Sequence, residues 1–252
     1  MGEDTRTLQT VERTIDIISY LEEMNGARVT EIAERYSVAA SSVHAHLTTL
    51  RNNGYVVKQG DEYQLSLQFL KVGKYTQQRT EARRLADKYT RKLCDETGYR
   101  AIFLVEEHGL GVFLYMYPGE HNAWTHNSPG QQSPLHTLAA GKAILAHYPE
   151  SRVREILEEK GMHRKTTNTI TDIEVFLNDL ERVRERGYAV NDNENVDGIR
   201  AIAVSAQGPA NELIGSFGIS GPTGSMTEES FHDDLPRKLR EITDEFELEL
   251  TL

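Results

Sequence analysis

Two groups of side chains in this 252-residue chain have the types and spacing to do chemistry. The first is Ser41, Ser42, His44 and Thr48. Their hydroxyl and imidazole groups exchange hydrogen bonds without needing a net charge, the chemistry that reads base edges. Arg28, Arg51 and Lys58 flank them with the cationic ends that meet phosphate oxygens. The second group is Leu138-Ala139-Ala140-Gly141, a run of small side chains at the start of an apolar segment. Small residues let backbone N–H groups approach a ligand, and a helix N-terminus favours an anion such as a carboxylate. Ser220, at the end of a strand-like run, offers a hydroxyl to orient that ligand. Trp124, the one tryptophan, precedes the small-residue helix and is positioned to wall a pocket.

The elements that must hold these residues are legible from periodicity. Leu8, Val11, Ile15, Ile18, Leu21 and Met24 recur at spacings of three and four, predicting an amphipathic helix that Asn25-Gly26 ends. Thr30 is expected to cap a short helix with Glu31 in its first turn. After a break at 37–40, Ser41 or Ser42 is expected to cap a third helix over about 41–52, anchored by Val43, Leu47 and Leu50. Tyr55–Val57 and Tyr63–Leu65 then read as strands around the turn Gln59–Asp61. Ala33 is small enough for two helices to touch, and Val38 supplies an apolar turn residue, so the head reads as a helix–turn–helix with a wing.

Residues 79–97 predict a polar linker or interdomain helix with Leu85, Tyr89 and Leu93 inward. Arg100–Glu106 and Gly111–Tyr117 predict a hairpin, with helices following at Leu138–Tyr148, Glu150–Lys160 and Ile173–Arg186. Gly198–Ala206 and Glu212–Ser220 predict two further strands. Phe231, Leu235, Leu239, Ile242, Phe246 and Leu250 stripe a last helix near Pro236.

Several chemistries are set aside by the residues. A single cysteine, Cys94, permits no intrachain disulfide. Apolar runs fall short of a membrane span, and the N-terminus lacks the basic and apolar regions of a signal peptide, so a cytoplasmic location is expected. The segment around Gly141-Lys142 lacks the glycine and hydroxyl of a phosphate-binding loop. Ser205 and Ser220 sit in no nucleophile elbow, so no catalytic residue is expected. His121, His126 and His136 match no regular ligand spacing; neither a metal nor a cofactor is expected.

Net charge is −11, and the first 75 residues carry only −2 of it. Nine lysines against nineteen arginines in so acidic a chain suggest a salt-rich host. Counterion release would there contribute little to DNA affinity, leaving shape and neutral contacts to carry it. A rival reading is an interaction module that has lost DNA binding; another is an enzyme of the same fold.

With these residues in view, the chain resembles the IclR family of transcription regulators. Ser41-Ser42-Val43-His44, Leu47 followed by Gly54-Tyr55-Val56, and Tyr63-Gln64-Leu65-Ser66 resemble its winged head. Ala45 stands where the family usually has a basic residue. Residues 133–146, 187–207 and 215–222 resemble three segments of its effector domain, in order and at family spacing. The resemblance implies a mixed α/β (α+β) architecture: a winged helix–turn–helix at 1–77, a linker helix at 78–97, and a GAF-like domain at 98–252 with a sheet flanked by helices.

It further implies a double-stranded DNA operator, a small-molecule effector (a carboxylate or aromatic metabolite) and a homodimer or homotetramer, with no membrane partner. The effector site it implies comprises Trp124, Ala139, Ala140, Gly141, Asp192, Gly218 and Ser220. Gly218 stands where some members carry a second serine, and Ala201 where some carry a cysteine.

Overall fold

The computed structural model describes residues 7–121 and 127–252. It divides into two units, Met1–Thr76 and Gln77–Leu252. In the first, helices α1 (Gln9–Glu23), α2 (Val29–Arg35) and α3 (Ala40–Asn52) pack with a small sheet of β1 (Ala27–Arg28), β2 (Val56–Gln59) and β3 (Glu62–Leu65). The strand order is β1-β3-β2, so the expected hairpin gains a third strand. Ile17, Leu21, Ile32, Val43, Leu47 and Val56 form its core.

Three expectations change here. The face of α1 turned inward is Ile17 and Leu21, whereas Leu8 is 71% and Ile15 57% exposed. The apolar stripe therefore wraps beyond the face the core can cover. Thr30 does not cap α2; the N-cap is Arg28, two residues earlier, and the Glu31 carboxylate accepts from the Arg28 backbone N–H at 2.6 Å. Neither Ser41 nor Ser42 caps α3, because Ala39 occupies the N-cap with no side-chain bond. Between α2 and α3, Ser37 adopts φ +52°, a left-handed conformation that suits glycine better than a side chain. A further helix, α4 (Gln68–Gln77), buries none of its side chains, so no core face marked it in advance.

In the second unit, one six-stranded antiparallel sheet has the order β6-β5-β4-β9-β8-β7. Its strands are β4 (Arg100–Glu107), β5 (Leu110–Tyr117), β6 (Gln132–Pro134), β7 (Ala189–Asp192), β8 (Ile199–Gln207) and β9 (Leu213–Pro222). Helices α5 (Glu81–Thr97) and α9 (Leu235–Leu250) cover one face, where Phe103, Phe217 and Phe246 meet. Helices α6 (Ala139–His147), α7 (Glu150–Lys160) and α8 (Ile173–Arg186) belong to the other, around Leu104, Phe113, Ile144 and Phe176. Helix α5, the stretch read as a linker or interdomain helix, buries Ala86, Tyr89, Leu93 and Cys94 in the core of the second unit.

Candidate nucleic-acid interface and ligand cavity

Helix α3 buries Val43, Leu47 and Leu50, and this fixes what its opposite side presents. At 100° per residue, Ser41, His44, Ala45, Thr48 and Asn52 share the outward face, with Arg51 at its edge. His44 and Thr48 are one turn apart, with Nδ1 and Oγ1 3.4 Å from each other. Ser42 lies off that face, beside His46 and Val38 in the cleft toward α1. His46 is a positioning residue that sequence reading passed over: its Nδ1 lies 2.9 Å from Thr14 Oγ1 and ties α3 to α1. On the wing, Lys58 sits over the Tyr63 ring at 5.4 Å. Arg28 stands 3.8 Å from Glu62 across the β1–β3 pair, so part of its charge is already answered. Asn52, also unforeseen, completes the outward set.

The cavity of the second unit follows from sheet register. Arg100 on β4 and Ala201 on β8 both pair with Ser220 on β9, so the three lie on one rung and point to the α6 side. On the next rung Ile102 and Ala203 pair with Gly218. The small side chains at Ala201, Ala203 and Gly218 leave a hollow that the first turn of α6 roofs. About 540 Å³ of empty space lies there, the open solvent at its mouth included. Of the residues named from the sequence, Ala139, Ala140, Gly218 and Ser220 line it. So do Arg100, Ile102, Phe113, Asn191, Asn195 and Val196, which were not foreseen.

Three of the expected residues are not among its described walls. Asp192 turns to Arg200, with Oδ1–Nε 3.0 Å and Oδ2–Nη2 3.2 Å. Gly141 serves close packing: a Cβ there would collide with the backbone of Leu135. Trp124, like His126, lies outside the described residues. Among the described residues no group of three or more His, Cys, Asp and Glu is placed to hold a metal.

Polar ties fix the roof. Ser216 Oγ donates to the Ala140 carbonyl at 2.9 Å, and Asn191 Nδ2 to the Thr137 carbonyl at 2.6 Å. Lys142, 1% exposed, puts its ammonium 2.9 Å from Asp179 and 2.6 Å from Glu194. Burial raises the Glu194 carboxyl above the ordinary range, and Lys142 opposes that rise. Leu138, at the N-cap of α6, supplies no side-chain bond to the amides of the first turn. Arg100 is 7% exposed, and burial lowers its guanidinium to about 10. An apolar hollow, an uncapped helix start and a buried cation together suit a small anion.

Comparison with known proteins agrees with this geometry. Residues 74–247 match the family described as the bacterial transcriptional regulator IclR C-terminal domain, and residues 10–60 match the IclR helix-turn-helix domain. A probable HTH-type transcriptional regulator, ArcR, of Halobacterium salinarum is 29% identical over 251 residues, covering 98% of this chain and 95% of that one. The crystal structure of the Thermotoga maritima IclR is similar with a TM-score of 0.82 at 26% identity, over 98% of this chain and 100% of the other. An IclR homolog from Microbacterium hydrocarbonoxydans, crystallised with 4-hydroxybenzoate, shares the fold with a TM-score of 0.80 at 18% identity, over 96% and 99% of the two chains.

Proposed function

The chain belongs to the IclR family of ligand-responsive, DNA-binding transcription regulators of metabolic operons, and from that premise we propose how its two units divide the work. Its relatives and its fold are those of regulators rather than of enzymes. The first unit sets α3 in the major groove, where Ser41, His44 and Thr48 meet base edges, while Ser42 lies off that face. Arg28, Arg51 and Lys58 hold phosphates. The second unit binds a small organic metabolite in the hollow beneath α6, against Ala139, Ala140, Gly218 and Ser220. The homolog crystallised with 4-hydroxybenzoate supports a small acid as the kind of ligand.

Apolar side chains left uncovered on α1 (Leu8, Val11, Ile15) and α4 (Leu70, Tyr75) support a homodimer built through the head. Two heads then meet the two halves of a pseudo-palindrome. Ligand binding shifts their spacing, with a coupling bounded by the ligand's differential affinity, about 1–3 kcal/mol. The target is a catabolic operon. The acidic, lysine-poor composition supports work in a salt-rich cytoplasm. No described helix is long and apolar enough to cross a membrane.

The observation that carries this reading is the small-residue hollow over an uncapped helix start. Ala140→Trp fills it. This variant is expected to keep operator DNA, found by chromatin pull-down from the host, while losing its response to metabolite extract. A normal response would move the effector site elsewhere.

A further inference from the structure

We propose that Arg100 is the anion anchor of this cavity and that its ligand is a small monocarboxylate with an apolar body. The proposal rests on the reading of the hollow as the effector site and names what that site selects.

The argument starts from a charge without an answer. Arg100 is more than nine-tenths buried, yet among the described residues it pairs with no carboxylate. Its one side-chain hydrogen bond among the described residues is Nη2 to Met116 Sδ at 3.9 Å, too weak to answer a guanidinium charge. The neighbouring cation behaves differently. Arg200 reaches both Asp192 and Glu228, which spends its charge away from the hollow. A buried, unanswered guanidinium persists when its partner arrives from outside.

The surroundings say what that partner is. Register puts Arg100 directly across from Ser220, whose hydroxyl makes no side-chain bond within the protein among the described residues. The uncapped first turn of α6 roofs the same rung. A planar carboxylate satisfies all three, with the two-point geometry that arginine favours. No second cation lines the described walls, so one negative charge is the complement. Ile102, Phe113, Val196 and Ile199 enclose the rest of the space, which suits an apolar body. Asn127, Asn191 and Asn195 add neutral polar groups to the lining.

The test uses the full chain with benzoate and isobutyrate as probes, and benzamide and isobutyramide as their uncharged counterparts, in titration calorimetry and thermal melting. At least one acid is expected to bind and raise the melting midpoint, with its amide inert. Arg100→Met keeps the bulk and removes the charge; it should weaken the acid about ten- to a hundredfold. It should also raise the midpoint of the ligand-free chain, because a buried unpaired charge is gone.

Arg100→Met that binds the acid normally overturns the anchor, as does a ligand-free midpoint that falls, which would make Arg100 structural. Failure of both acids, or equal binding of the amides, overturns the ligand class. Ala140→Trp separates the two readings: acid bound equally by that variant places the effector site elsewhere, whereas acid lost there but kept by Arg100→Met retains the cavity and removes Arg100 from it.

Discussion

The outward face of α3 and the hollow beneath α6 are sites of opposite construction. On α3 the candidate side chains are exposed or half-buried and stand on a helix whose anchoring is done by other residues, Val43, Leu47 and Leu50. Under α6 the site residues and the groups that hold them are themselves the core. Ser216, Asn191, Lys142 and Glu194 are all buried and bonded to the roof or to one another. Specificity at the first site can therefore change without cost to the fold. At the second, each change in chemistry is also a change in stability.

The strongest way to sharpen that contrast is Lys142→Met. It leaves Asp179 and Glu194 buried without their cation, and a loss of about 3–5 kcal/mol in urea unfolding of the second unit is expected. A smaller loss would mean that the two carboxyls find water. Gly141→Ala comes next, forcing a methyl against the Leu135 backbone; about 1–3 kcal/mol of destabilisation should appear in the same assay.

The double change His44→Ala with Thr48→Ala should leave stability within about 0.5 kcal/mol while weakening operator binding roughly tenfold in a gel-shift titration. A clear fall in the melting midpoint would break the comparison, because the α3 face would then be structural as well.

The smallest effect is a slope with pH. Burial lowers the His136 imidazole below its ordinary 6.5, against the raising effect of its hydrogen bond to the His163 carbonyl. Between the two values the unfolded chain holds more protons than the folded one. Stability is therefore full above about pH 6.5 and declines as pH falls through the lowered value. Denaturation midpoints of the wild-type chain and of His136→Gln, compared across that window, should converge toward low pH.

Much of the first site was readable in advance. Helical periodicity assigns Val43, Leu47 and Leu50 to one side, and this alone turns Ser41, His44 and Thr48 to the other. What was missed there depends on neighbours: the His46–Thr14 tie, the third strand that brings Arg28 to Glu62, and the outward placement of Leu8 and Ile15. The second site was half-readable. Small residues at 139–140 and 218, and the Ser220 hydroxyl, signalled a hollow. Arg100 carried no signal, since an arginine at the start of a strand is ordinarily solvated. Asp192 carried a misleading one, because nothing local shows that Arg200 will claim it.

The sequence by itself determined the longer helices and strands, the winged head and the family, because periodicity, turn residues and motif spacing are local properties of the chain. Tertiary structure alone decided which groups lose water and which charges meet. Arg100, Ser220 and Ala201 lie up to 120 residues apart and become one rung only through antiparallel register across β4, β9 and β8. Burial, and with it the electrostatics of the cavity, is a property of that register and of the helix laid over it.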